Sequence, residues 1–160
     1  MAESNSKTVN PFIITDNAKN LMGFIENVFD GTTDENAFTM DKDGLILHAE
    51  MTIGDSLIMV VDRKPDWPFT PAFIQVYVDD VEETLKRAVE NGATVITEPT
   101  DYIGVKFSRI SDPHNNMWRV YEVLDDYDWS QDFNMETGEV QENNRAEYIR
   151  NTIVEAMSRL

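Results

Sequence analysis

The sequence predicts an α+β protein: two βαβββ modules forming a curved mixed sheet around a cavity, followed by a C-terminal helical extension. Three observations predict it. Hydrophobicity patterns of strand, helix and three strands run over residues 9–62, the same order returns over residues 71–123, and the remaining tail matches neither. Each module would own a sheet with one apolar face that cannot stay wet, and two such sheets side by side offer a hollow of the kind that takes ligands.

The elements follow in order. Residues 9–15 form a short apolar run bounded by Asp16 and Asn17, which reads as a strand. Ala18, Leu21, Met22, Ile25 and Val28 then recur at helical spacing, with Asp16 or Asn17 as N-cap and Gly31 just past the end. Residues 34–40 are a weak strand, Asp43-Gly44 a turn, 45–53 a strand, Gly54-Asp55 a turn, and 57–62 a strongly apolar strand. Residues 63–70 hold Pro65, Trp67 and Pro68 and predict a connector.

The second copy is clearer. Residues 73–78 are rich in β-branched and aromatic side chains. Asp79 or Asp80 caps a helix with a buried stripe of Val81, Leu85, Ala88 and Val89, which Asn91-Gly92 ends with a left-handed residue. Strands are predicted over 93–97, 105–110 and 117–123, with a turn at residues 112–116. Asp16 aligns with Asp79, and the Gly54-Asp55 turn aligns with Asn115-Asn116.

Outside the repeat, residues 1–8 are expected to be disordered, and 124–143 read as a solvated acidic linker free of Lys and Arg. Residues 144–160 predict an amphipathic helix with Ile149, Ile153, Met157 and Leu160 on one face. Such a helix is marginal alone and must dock on its own sheet or on a second subunit.

Composition narrows the function. The net charge is −17, from 30 acidic and 13 basic residues, so nucleic acid is not expected as a partner. The chain has no cysteine, which removes disulfides, thiolate metal sites and thiol nucleophiles and fits a reducing, cytoplasmic setting. Residues 1–10 are polar and predict no secretory signal, and no run reaches the ~20 apolar residues of a membrane-spanning helix. Apolar helix stripes and an exposed sheet edge suggest a homodimer. No glycine-rich phosphate loop, nucleophile elbow or zinc-binding helix motif is present.

Four sequence pieces carry a family resemblance. They are the helix of residues 17–29 with Phe24-Ile25 and Val28-Phe29, and Leu47-His48-Ala49-Glu50 running into Ile53-Gly54-Asp55-Ser56. The others are Val78-Asp79-Asp80-Val81, and Asp112-Pro113 leading to Trp118. With the repeat, these resemble the vicinal-oxygen-chelate superfamily of glyoxalases, bleomycin-resistance proteins and extradiol dioxygenases. The His-Ala-Glu strand is similar to a bacterial glyoxalase-like subgroup labelled after a demethylubiquinone methyltransferase.

The resemblance implies where a metal would sit: one ligand from the first and one from the last strand of each module. By position these fall near Val9, Met59, Phe73 and Arg119, three side chains without a hard donor and a permanent cation, so no metal cofactor is expected there. A displaced divalent site remains an alternative. His48 and Glu50 share a strand face at i and i+2, and Glu122 could join them. His114 lies in a turn, where exposure is expected.

The expected function is therefore metal-free binding or sequestration of a small molecule. Phe38, Met59, Trp67, Phe73, Phe107, Trp118 and Tyr121 are the candidate lining, and Arg119 is placed to grip a carboxylate or phosphate. The alternatives are a metal-dependent lyase, isomerase or dioxygenase around His48, and an interaction module acting through the C-terminal helix.

Overall fold

The computed structural model of the chain describes residues 7–160, so most of the segment expected to be disordered, residues 1–6, lies outside the described residues. Its elements run β1 (Phe12–Thr15), α1 (Ala18–Phe29), β2 (Thr32–Met40), β3 (Ile46–Ile53), β4 (Ser56–Asp62), β5 (Phe73–Tyr77), α2 (Val81–Glu90), β6 (Thr94–Tyr102), β7 (Val105–Ser111), β8 (Met117–Val123) and α3 (Asn144–Met157). The predicted βαβββ order is thus present twice. The strands hydrogen-bond as two four-stranded mixed sheets, ordered β1-β4-β3-β2 and β5-β8-β7-β6. Two compact units result: residues up to 72 together with 112–116, and residues 73–111 together with 117–160.

In each unit the first strand runs parallel to the last, which forces a crossover, and the helix supplies it. The same capping device starts both helices. Asn17 accepts from the Asn20 N–H at 3.0 Å, and Asp80 accepts from the Glu83 N–H at 2.9 Å. A carboxylate on the last strand then takes the next orphan donor. Asp62 accepts from the Ala18 N–H at 2.7 Å, and Glu122 from the Val81 N–H at 3.0 Å. The hairpins agree too: Gly54 and Asn115 both turn through left-handed backbone, at φ 57° and 63°.

Helix α1 buries Ala18, Leu21, Met22, Ile25 and Val28 as predicted, together with Phe24 and Phe29. Gly31 follows it so tightly that a Cβ there would come within 2.6 Å of Ile25. Helix α2 departs from expectation. Val89 is exposed, and Thr84 is buried in its place, its hydroxyl donating to the Asp80 carbonyl. Helical geometry turns Val89 about 80° away from Val81, off the buried stripe. Gly92 ends α2 with φ 91°.

Strand β1 begins three residues later than expected, leaving Val9 exposed ahead of it. Strand β6 runs five residues beyond its expected end, through Pro99. It tolerates the proline because it is an edge strand with register shifts on both sides of Thr97.

The tail docks on its own unit. Helix α3 lies against β6, where Thr97 and Thr152 share a hydroxyl hydrogen bond of 2.7 Å and the Glu98 N–H donates to Tyr148 Oη at 2.9 Å. Ile149 is buried, while Met157 and Leu160 from the same predicted face stay exposed.

The acidic segment before α3 is exposed along most of its length, but one carboxylate organises it. Asp132 has no exposed surface. It accepts from the Ile103 N–H at 2.9 Å, from Asn143 at 2.9 Å, from Arg145 at 2.8 Å and from the Tyr127 hydroxyl. Burial alone would raise its pKa, but these hydrogen bonds and the Arg145 charge hold it below the usual aspartate value. Tyr127 is pushed up to about 12 by burial and by that carboxylate. Trp129 closes over Gly104, where a Cβ would approach its ring to 2.7 Å.

Candidate functional site

Strand alternation sorts the second sheet into two faces. Glu122 and Lys106 reach α2, through Val81 and Glu82, so Trp118, Val120, Ser108 and Ile110 share that side. The opposite side carries Phe107 and Arg109 on β7 and Arg119 and Tyr121 on β8. In register, Phe107 faces Tyr121 and Arg109 faces Arg119. On β5, Gln75 pairs with Arg119 and Tyr77 with Tyr121.

This face is aromatic and cationic. The Tyr121 ring lies 5.1 Å from Phe107 and 5.7 Å from Tyr77, edge-on to the latter. The Arg109 guanidinium stacks 4.5 Å above the Phe107 ring centroid. Arg109 is only 4% exposed. Its Nη1 donates to the Ile149 carbonyl of α3 at 2.6 Å and to Thr97 Oγ1 at 3.3 Å, and its Nε has no partner. Burial, reinforced by the charge of Arg119, lowers its pKa to about 10. Arg119 is exposed, and its guanidinium makes no hydrogen bond or ion pair among the described residues. Burial raises the Tyr121 phenol, with both arginines pulling the other way.

The corresponding face of the first sheet is different. Phe12 pairs with Met59, and Glu50 pairs with Met59 from the other side. His48 Nε2 and Glu50 Oε1 lie 3.1 Å apart and satisfy each other.

The predicted site residues therefore divide. Phe107, Arg119 and Tyr121 are brought together. Phe73, half-exposed, sits at the start of β5 opposite Met117. Trp118 has no exposed surface and lies on the α2 side, so it fills the core and lines no open face. Met59 and Phe38 belong to the first unit, as does Trp67, 41% exposed with Lys64 Nζ 5.7 Å from its ring centroid. Sequence reasoning missed Arg109, Tyr77 and Gln75. The signal was there for Arg109, since period-two alternation from Phe107 puts it on the same face.

His114 is not exposed as its turn suggested: its side chain is 10% exposed. Its ring nitrogens reach Asp16 at 2.6 Å and Asn20 at 2.7 Å, which lowers the Asp16 pKa. That places it in a tie between the 112–116 turn and the start of α1.

The residues at the family's metal positions do not fit an ion. Register sets Phe12, in place of Val9, beside Met59, and Gln75, in place of Phe73, beside Arg119. Phenyl and thioether groups are poor partners for a hard cation, a guanidinium repels one, and the neutral amide oxygen of Gln75 is the single hard donor of the four. In the alternative set, His48 and Glu50 pair with each other and Glu122 caps α2. No group of three or more His, Cys, Asp or Glu side chains suited to a metal occurs among the described residues.

Comparison with known proteins agrees with this architecture. The model of the Glyoxalase/Bleomycin resistance protein/Dioxygenase superfamily matches residues 8–120, and the chain belongs to that superfamily. An uncharacterized protein of Mycobacterium tuberculosis (strain ATCC 25618 / H37Rv) is 27% identical over 130 residues, covering 74% of this chain and 75% of its own. Among solved structures, protein PA1353 from Pseudomonas aeruginosa superposes with a TM-score of 0.60 at 19% identity, over 75% of this chain and 100% of its own. The PhnB protein from Bacillus cereus, a putative 3-demethylubiquinone-9 3-methyltransferase, gives 0.58 at 15%, over 73% and 100%. At such identities the likeness speaks for the fold alone. No described helix is long and apolar enough to cross a membrane.

Proposed function

We propose that this chain is a cytoplasmic small-molecule-binding member of its superfamily, working as a homodimer and without a resident metal. The binding surface is the face of the second sheet turned away from α2. One observation carries the reading: the Tyr121 ring touches both Tyr77 and Phe107 beside the exposed Arg119 guanidinium, which has no protein partner among the described residues. Aromatic side chains give a flat apolar surface at low entropic cost, and a nearby polar group fixes a ligand's orientation. Phe12 and Met59, which offer no hard donor, and the Arg119 cation beside Gln75 support the metal-free part.

The test titrates the protein with benzamide, benzylamine, benzoate and phenylphosphonate while following backbone amide NMR signals. Saturable shifts centred on Tyr77, Phe107, Arg119 and Tyr121 with at least one probe are expected. Silence from all four overturns the reading. Heating with Ni²⁺, Zn²⁺, Mn²⁺ or Fe²⁺ should leave the melting temperature unchanged, whereas an ion present at 100 Kd would add ~2.7 kcal/mol.

A further inference from the structure

Two arginines that face each other across neighbouring strands are an unfavourable arrangement left alone, because like charges directly opposite destabilise a sheet. In this chain acids outnumber bases by 30 to 13, so a carboxylate partner would be easy to supply. None is supplied. Among the described residues, no ion pair involves Arg109 or Arg119, and the Arg119 charge works against that of Arg109. Arg109 is nevertheless fixed: Ile149 and Thr97 hold one end, Phe107 lies under its plane, and its Nε–H remains unsatisfied. A buried donor left unmade is costly. Support of α3 accounts for Arg109's Nη1 but for neither that Nε nor the placement of Arg119.

Resting on the binding reading above, we propose that the ligand is an oxyanion: the Arg109 and Arg119 guanidiniums together grip the carboxylate or phosphoryl-type group of a small aromatic molecule whose ring packs on Tyr121. The anion relieves the repulsion between the cations and accepts from donors the fold leaves open. Guanidinium pairs suit this task because their N–H groups bond planar or tetrahedral oxyanions in parallel. The aromatic surroundings limit water's competition for those bonds.

Calorimetric titration of the wild type and of Arg119→Gln tests this, with benzoate and phenylphosphonate as anionic probes, benzamide as the neutral one and benzylamine as the cationic one. At least one anion should bind more tightly than benzamide and benzylamine, and the tighter anion tells a carboxylate site from a phosphoryl site. Arg119→Gln should weaken that anion at least tenfold and benzamide by a much smaller factor. Arg119 is exposed, so the variant folds, and in anion-free buffer it should melt higher than the wild type because a like-charge contact is gone. The proposal is overturned if benzamide or benzylamine binds as well as the anions, if Arg119→Gln keeps full anion affinity, or if it melts lower without anions. In the first case the general binding reading survives; silence from every probe removes both.

Discussion

The two modules share a plan and differ in what they leave on the sheet face away from the helix. Both run strand, helix and three strands, and both lend a last-strand carboxylate to the first turn of their helix, Asp62 to Ala18 and Glu122 to Val81. The paired first and last strands then diverge. The first module sets Phe12 beside Met59 and closes its polar pair, His48 and Glu50, on itself. The second sets Gln75 beside Arg119 and adds Arg109, and leaves the Arg119 guanidinium and the Arg109 Nε without a protein partner among the described residues. The edge strands differ as well: β6 is covered by α3, whereas β2 stays mostly exposed and carries Asp34 and Glu35, charges that discourage pairing with another chain. What was kept lies on the helix side, where packing constrains every atom. What changed lies where a ligand could do the satisfying.

The largest expected effect tests the part of the second module that has no counterpart in the first. Asp132→Ala removes the acceptor that gathers Ile103, Tyr127, Asn143 and Arg145, and should cost about 3 kcal/mol in urea unfolding. A cost near zero would mean the tail is only draped on its unit. The shared capping device comes next. Asp62→Ala loses bonds to two N–H groups, Ala18 and Ile46, and should cost about 2 kcal/mol, against about 1 kcal/mol for Glu122→Ala, which loses one. A reversed order would break the equivalence drawn between the modules.

The smallest effect is in pH. Because Asp132 titrates below the usual 3.8 in the folded state, its stabilisation is complete above that value and is lost as pH falls through the lower folded pKa. Melting curves of wild type and Asp132→Asn should therefore converge below pH 3.8. Parallel curves would show that Tyr127 and Arg145 do not depend on the charge.

Much of this was legible in the residues. Helix α1, the two turns at Gly54 and Asn115, and the duplication itself follow from local chemistry: spacing of apolar side chains, capping groups and left-handed turn residues. Part of the candidate site was legible as well, since Phe107, Arg119 and Tyr121 sit on strands whose alternation can be counted. Glu122 and Trp118 lie on the helix side of β8, and which side that is depends on where α2 packs. His114 was misjudged because its partners, Asp16 and Asn20, lie nearly a hundred residues away in the chain.

The sequence by itself determined that this chain repeats a βαβββ unit, because spacing, capping and turn residues are set by neighbours within a few residues. Only the tertiary structure decided that Arg109 stands opposite Arg119, that α3 reaches β6, and that one acidic residue among many is buried. Those outcomes rest on cross-strand register and on contacts between distant segments, where a shift of one residue reverses every side chain.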